Sequence, residues 1–250
     1  LLIGILLPAL GAARRSARQS ANAAQARDMY GGMVSYATDN ITRTGIGFLP
    51  GLDGNKEWDD AETANSSQYG VSAGDNNTIP NAYAIMLNEN LITAESIINP
   101  ADTDAEEAAL GSSNAVDETN YSYAFIDIDW GQSAPGNPNR IEGAWSNSVS
   151  TQSIVLSDMN TGTDAGGQIS SWWTTENRGN WRGVIVRGDQ STSTGSSQEL
   201  DQTKYGDGAI VEDDNLFAEK ADTNSSSDND AVMTTSGQTY IDQDTAGSRP

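Results

Sequence analysis

The sequence predicts an α+β protein in which one long N-terminal α-helix packs on an antiparallel β-sheet head. Apolar and alanine residues recur at three- and four-residue spacing near the N-terminus, as in a helix, whereas short apolar runs typical of strands appear only later. No helical pattern between those runs is long enough for a parallel crossover, so we expect antiparallel pairing. We therefore divide the chain into a helix at residues 1–40 and a head at 41–250.

The long helix is predicted over Ala9–Asn40, where alanine and arginine, both strong helix formers, are abundant. At 1.5 Å per residue it would be about 48 Å long, so part of it should project beyond the head. Pro8 cannot donate the hydrogen bond that would return to Gly4. We expect the helix to be kinked or locally melted near Pro8.

The other elements are predicted to be short. A second helix is expected at Asn81–Leu91. Strands are expected at Tyr121–Trp130, Ser153–Met159, Trp181–Arg187, Ala209–Val211 with Leu216–Phe217, and Thr239–Ile241. Low-complexity segments expected to be surface loops are Asn65–Thr78, Ser191–Gln198 and Asp222–Asp230.

The composition excludes several kinds of chemistry. The chain has 250 residues, no Cys and no His, which rules out a Ser-His-Asp triad, a cysteine nucleophile, a Cys/His zinc site and disulfides. A formal net charge of −22 argues against a nucleic-acid partner, because phosphate binding needs cations. Leu, Ile, Val and Phe account for only 42 residues, a thin core that usually needs help from assembly, metal or neighbours.

Charge and hydrophobicity are strongly polarised along the chain. Leu1–Ala13 has no charged or polar side chain. Residues 1–27 carry Arg14, Arg15, Arg18 and Arg27 and no acid, so residues 28–250 carry the remaining −26. An apolar tip is thus followed by a basic stem and an acidic head.

The apolar tip is too short to cross a membrane by itself. Thirteen residues span about 20 Å as a helix, whereas a bilayer crossing takes about 20 apolar residues. A secretory signal peptide is a poor match, because the positive charges follow the apolar run instead of preceding it. The tip is therefore interpreted as a buried helix end or as half of a longer apolar segment. Burial among copies of itself would suit either, and contacts that do not close would give a filament.

The opening LLIGILLPALGAARRSARQ resembles the second half of the N-terminal segment of type IV pilins and type II secretion pseudopilins. In that family a proline interrupts the helix near where Pro8 stands, and the helix then enters a globular head. The methylated first residue and the glutamate that the family carries earlier have no counterpart here, so neither role is assigned. Head segments similar to planctomycete-type pseudopilin-like proteins, in the same order, are Ala82–Asp102, Thr119–Ala124, Ile154–Gly162 and Asn180–Asp189.

The resemblance implies a pilin-like fold and a non-enzymatic structural subunit of an extracellular filament at the cell surface, with a membrane-anchored precursor. Its partners would be copies of itself, and, before assembly, the pilus assembly or secretion machinery of the inner membrane. The residues expected in the filament core are Leu1, Leu2, Ile3, Ile5, Leu6, Leu7, Pro8, Leu10, Ala13 and Ala17. Arg14, Arg15 and Arg18 are expected to contact acidic heads of neighbouring subunits.

Two alternative functions remain open at this point. One is a minor pseudopilin acting inside a type II secretion system instead of forming long fibres. The other is a carbohydrate-binding or carbohydrate-active surface protein, in which Trp172, Trp173 and Trp181 stack on sugar rings and paired carboxylates act in hydrolysis. We expect the tryptophans instead to fill the core of a chain that is short of aliphatic residues.

One polar loop offers candidate calcium ligands. Asp53, Asn55, Glu57 and Asp59 alternate along the sequence and supply oxygen ligands only, which suits Ca²⁺. The segment has no glycine at the sixth position and no glutamate at the twelfth, as an EF-hand loop requires, so the alternative is a solvated turn. Glycans are a further possibility, since the chain has Asn-X-Ser/Thr sites and Ser/Thr-rich loops.

Overall fold

The described part of the chain has a long N-terminal helix, a second α-helix and two antiparallel β-sheets, which is the predicted α+β class. The computed structural model describes residues 2–41, 45–50, 79–108, 116–117, 119–126, 143–162, 169–174, 181–217, 231 and 233–234. The helices are α1 (Leu2–Asp39), α2 (Ile79–Asn88) and a 3-10 helix (Ala94–Ile97). The strands are β1 (Tyr123–Ile126), β2 (Ile154–Asp158), β3 (Gly183–Arg187), β4 (Thr192–Gly195), β5 (Glu199–Lys204), β6 (Ile210–Asn215) and β7 (Met233–Thr234).

The larger sheet has the strand order β4-β3-β2-β1-β7, and each neighbouring pair is antiparallel. Strands β1 and β2 are buried along their whole length, and so are the first four residues of β3. The smaller sheet is the antiparallel pair β5–β6. The predicted antiparallel arrangement is therefore confirmed in the described part of the chain.

Most predicted elements are present, with different ends. The strands predicted at Ser153–Met159 and Trp181–Arg187 are β2 and β3, and Tyr121–Trp130 contains the shorter β1. The loop predicted at Ser191–Gln198 is wrong, because Thr192–Gly195 forms the edge strand β4. Its backbone pairs with β3 although its first three side chains are exposed, so no apolar pattern announces it. The predictions at Asn65–Thr78, Asp222–Asp230 and Thr239–Ile241 fall outside the described residues, as do 127–130 of the first strand.

Helix α1 runs without a break from Leu2 through Pro8 to Asp39, so the local melting expected near Pro8 is wrong. Proline removes a single backbone hydrogen bond, and the good helix formers that follow keep the helix intact. Among the described residues, no helix combines the length and the apolar character that a membrane crossing requires.

Among the described side chains of α1, those that belong to the core all lie in the second half of the helix. Its buried side chains face strands β2, β3 and β4, the 3-10 helix and α2. They are Asn22, Ala26, Met29, Tyr30, Met33 and Ala37. Their three- and four-residue spacing is the helical period, which explains why one face of this half packs on the head.

Buried aromatic side chains form a large part of the core, in a chain that has few aliphatic residues. Tyr83 of α2 stacks on Tyr121 with ring centroids 4.5 Å apart, and it lies 4.8 Å from Phe125. The Tyr83 hydroxyl donates to the Tyr123 carbonyl at 3.0 Å. Phe125 continues the cluster to Trp145, with 5.5 Å between the rings. Such pairs contribute about 0.5–1.5 kcal/mol each beyond burial alone.

Helix α2 ends in a left-handed residue. Asn90 has a φ of 58°, and the Leu91 and Asn90 amides donate to the carbonyls of Met86 and Leu87. This double return satisfies two carbonyls that the helix end would otherwise leave without partners. It explains why the helix stops before the Leu91 limit predicted from the sequence.

Candidate functional site: an exposed helix half and its buried anchor

Residues 6–18 of α1 do not pack on the described part of the head. We call residues 6–18 the exposed half, because every side chain in this range is exposed. Leu6, Leu7 and Leu10 are 59%, 64% and 52% exposed. Large aliphatic side chains in water are unfavourable, so this surface is suited to burial against a partner.

The structure places most of the predicted assembly residues on this exposed half. Leu6, Leu7, Pro8, Leu10, Ala13 and Ala17 are all exposed there, together with Arg14, Arg15 and Arg18. The side chains of Leu1, Leu2, Ile3 and Ile5 lie outside the described residues. The candidate calcium ligands Asp53, Asn55, Glu57 and Asp59 also lie outside them, and within the described part no group of three or more acidic side chains is arranged to hold a metal ion.

Burial of α1 begins at Asn22, whose side chain is bonded to a buried carboxylate. Asp158, the last residue of β2, is completely buried. Asn22 Nδ2 lies 2.9 Å from both Asp158 oxygens, Oδ1 and Oδ2. A helix residue is thereby tied to the centre of the sheet across 136 positions of sequence.

Three more donors complete the surroundings of Asp158. Asn99 Nδ2 donates to Oδ1 at 3.1 Å. Trp173 Nε1 and the Val184 amide donate to Oδ2 at 3.0 and 2.9 Å. We call Asp158 and its four donors, Asn22, Asn99, Trp173 and Val184, the anchor cluster. It joins α1, β2, β3 and two loops at one carboxylate.

A second layer of contacts orients the donors. The Tyr123 hydroxyl donates to Asn22 Oδ1 at 2.8 Å, which directs Asn22 Nδ2 toward Asp158. The Ala101 amide donates to Asn99 Oδ1 at 2.9 Å and orients Asn99 in the same way. Both side-chain amides therefore present their N–H groups to the carboxylate.

Gly183 allows the close approach of β3 to this cluster. A Cβ atom at position 183 would lie 2.8 Å from Asp158 Cβ and 2.3 Å from the Trp181 ring. Any side chain would push β3 away from the carboxylate and weaken the bond from the Val184 amide. Glycine is needed here for space.

Two opposing effects set the pKa of Asp158. Their net result is a rise from 3.8 to about 6: burial raises the pKa, because a charged carboxylate is poorly solvated inside the protein, by more than the hydrogen bonds lower it. The hydrogen bonds from Asn22, Val184, Trp173 and Asn99 lower it, in that order. All of these donors are neutral. A buried carboxylate held by neutral donors from four different segments is suited to positioning structural elements.

The anchor cluster was not predicted as a site. Asn99 and Asp158 lie in segments that resemble pseudopilin heads, but no role was assigned to either. The available signal was a polar residue at a position where the pattern requires an apolar one: Asp158 ends an apolar strand, and Asn22 lies one turn before Ala26 on the buried helix face. Such residues are expected to find each other inside a fold.

Comparisons with other proteins provide no relative. The chain matches no protein-family model, no curated protein and no solved structure. A proposed function therefore depends on the geometry of the exposed half and of the anchor cluster.

Proposed function

We propose that this protein is a structural, non-enzymatic subunit of an extracellular filament of the type IV pilus or pseudopilus kind, assembled through the N-terminal helix. The observation that carries the proposal is the exposure of Leu6, Leu7 and Leu10 on a helix whose second half is buried in the head. A helix that is anchored at one end and apolar at the other presents its apolar end to other molecules.

The apolar tip contains enough hydrophobic surface to drive assembly. Leu1–Leu10 has seven Leu and Ile residues. At about 1.5–3 kcal/mol each, their burial supplies on the order of 10–20 kcal/mol of gross stabilisation per subunit. Ordering and association entropy offset much of this. Copies of the same chain offer equivalent apolar surface, and repeated head-to-tail contacts produce an open helical filament.

Charge supports the same arrangement. Arg14, Arg15 and Arg18 follow the apolar tip on the exposed half, whereas residues 28–250 carry −26. Exposed carboxylates on the described head include Glu199 and Asp201 of β5. Basic stems lying against neighbouring acidic heads would set register and partner choice more than affinity. This role in turn implies a cell-surface location and delivery by an inner-membrane assembly or secretion machinery.

The tryptophan positions bear on the carbohydrate alternative. Trp181 is completely buried, with its ring edge against Phe217 at a centroid distance of 5.4 Å, and its Nε1 donates to the Met159 carbonyl. Trp173 is 9% exposed and donates to Asp158. Trp172 is half-buried against the core. Two of the three rings are thus engaged inside the head, which favours the core interpretation.

Negative-stain microscopy of the wild-type protein and two variants tests the proposal. Leu7→Asp places a charge on the exposed half, and Ile210→Asp is the matched control, because Ile210 is an exposed apolar residue (45%) on the head. We expect long uniform fibres from the wild type and Ile210→Asp, and none from Leu7→Asp. Fibres from Leu7→Asp indistinguishable from wild type would refute assembly through this helix.

The same experiment separates the alternatives. Short oligomers or none from the wild-type protein would favour a minor pseudopilin, and specific glycan binding by a monomeric head would favour the carbohydrate function. Reversing Arg14, Arg15 and Arg18 to Glu tests the charge pairing by itself. Normal filaments from this variant at both low and high salt would remove the electrostatic role while leaving the apolar contact in place.

A further inference from the structure

Asn22 is the point at which α1 leaves the head. Among the described side chains of α1 before Asn22, none is buried, and the next buried one is Ala26. Four residues of helix, about 6 Å, separate the two positions. If Asn22 lost its contact, the exposed part of the helix would lengthen by about one turn.

The hydrogen-bond donors around Asp158 suit its ionised form, and the protonated form would require them to rearrange. Oδ1 faces two N–H groups and Oδ2 faces three. Each is a donor, and none of them can accept a hydrogen bond in its present orientation. A proton bound to either oxygen would point at other donors, so the ionised carboxylate fits this cage and the carboxylic acid does not.

We propose that the anchor cluster is a proton-sensitive joint: with Asp158 ionised it holds α1 to the head at Asn22, and with Asp158 protonated it weakens that hold. The joint itself depends only on the described contacts. Its consequence for filaments, a change in the exit angle and length of the assembly helix, depends on the proposed function.

A rearranged contact is available to the protonated form. If the Asn22 amide rotates, its Oδ1 accepts from the new Asp158 O–H, and its Nδ2 turns toward the Tyr123 hydroxyl, which can accept. The proton comes from solvent, and no covalent bond changes. Two charge-assisted hydrogen bonds between Asn22 and Asp158 are then replaced by one neutral bond, which is weaker.

Thermodynamic linkage gives the same direction. Because the Asn22 hydrogen bonds lower the pKa of Asp158, protonation of Asp158 must weaken the Asn22 contact by the same factor. Protonation also removes a buried charge, so the head as a whole is stabilised while the Asn22 joint is loosened.

Among the described groups that face one another in the anchor cluster, Asp158 is the one that changes its protonation state between neutral and mildly acidic pH. Asn22 of α1, Asn99 after the 3-10 helix, Trp173 and the β3 amide do not ionise near neutral pH. Tyr123 of β1 is the titratable side chain beside them, and burial together with the charge of Asp158 raises its pKa well above its usual value. Tyr123 therefore stays neutral while Asp158 titrates in mildly acidic solution.

Spin-label distance measurements on the full chain test the joint. The chain has no native cysteine, so Ser16→Cys on the exposed half and Thr151→Cys on the head can be labelled cleanly. Detergent-dispersed protein diluted with unlabelled chain reports distances within one molecule. We expect a narrow distribution at pH 7.5 that broadens at pH 4.5 on the scale of four helical residues, about 6 Å.

Three variants separate the joint from general loosening by acid. Asp158→Asn should give the broad distribution at both pH values, and Asn22→Ala should do the same with the carboxylate retained. Glu107→Gln removes an exposed head carboxylate, and its distance distribution should change with pH as that of the wild type does. Using two independent variants keeps the test decisive if one of them folds poorly.

The outcomes for joint and filament are distinguishable. An equally narrow distribution at pH 4.5 and pH 7.5 in the wild-type background would overturn the joint, whatever filaments form. A pH-dependent distribution in a protein that makes no fibres would support the joint and count against the filament.

Discussion

Replacing Asn22 by alanine tests how firmly the anchor cluster holds α1. The substitution deletes both hydrogen bonds to Asp158 and the nearer of two acceptors of the Tyr123 hydroxyl, which keeps Gln25 Oε1 at 3.5 Å. Asp158 keeps the three donors from Asn99, Trp173 and Val184, so the carboxylate loses part of its hydrogen bonding and not all of it. Because Asn22 lowers the pKa of Asp158, the variant should also have a higher Asp158 pKa than the wild type.

The expected loss depends on the charge of Asp158. A hydrogen bond to an ionised group contributes about 1.5–3 kcal/mol and one between neutral groups about 0.5–1.5 kcal/mol. Alanine recovers roughly half a kcal/mol through its higher helix propensity. Two bonds to the ionised carboxylate, less the propensity gain, predict that the free energy of unfolding falls by about 2.5–5.5 kcal/mol at pH 7.5. At pH 4.5, where Asp158 is protonated and one neutral bond is lost, the fall should be at most about 1 kcal/mol.

Urea unfolding followed by circular dichroism and tryptophan fluorescence measures both values. Ser20→Ala is the matched control, because Ser20 is exposed on the same helix and outside the cluster, so it changes propensity without changing the anchor. Its effect should stay within about 0.5 kcal/mol at either pH. Equal losses for Asn22→Ala at pH 7.5 and pH 4.5 would refute the conclusion that Asn22 bonds to an ionised Asp158.

Three further predictions concern stability. The pKa of Asp158 is higher in the folded state than in the unfolded state. Protonation of Asp158 therefore stabilises the folded state most below about pH 4, and this stabilisation is lost as pH rises through about 6. The free energy of unfolding should change by about 3 kcal/mol over that range, and comparing unfolding curves of the wild type and Asp158→Asn isolates this part. Gly183→Ala should cost about 1–3 kcal/mol by overpacking against Trp181, and a thermal midpoint equal to wild type would contradict the contact distances. Asn90→Gly should raise the free energy of unfolding by a few tenths to about 1 kcal/mol, because glycine adopts positive φ without a Cβ penalty; a loss would show that the Asn90 side chain matters more than its φ.

Local patterns were sufficient to predict the two α-helices and the buried strands β1, β2 and β3. The spacing of Met29, Met33 and Ala37 predicts the buried face of α1, and the apolar runs at Ser153–Met159 and Trp181–Arg187 predict β2 and β3. These predictions succeed because side-chain burial imposes a period of 3.6 on a helix and an apolar run on a buried strand. The prediction for the edge strand β4 was wrong, because backbone pairing with β3 defines this strand and side-chain burial does not.

Composition and order along the chain by themselves determined the polarity of this protein: an apolar tip, a basic stem and an acidic head without cysteine or histidine. Those properties follow from which residues are present and do not depend on how the chain folds. Only the tertiary structure decided that α1 divides at Asn22 and that Asn22, Asn99 and Asp158 meet. Their contacts span 59 and 136 positions, and a hydrogen bond between distant residues depends on the packing of whole elements, which no local period encodes.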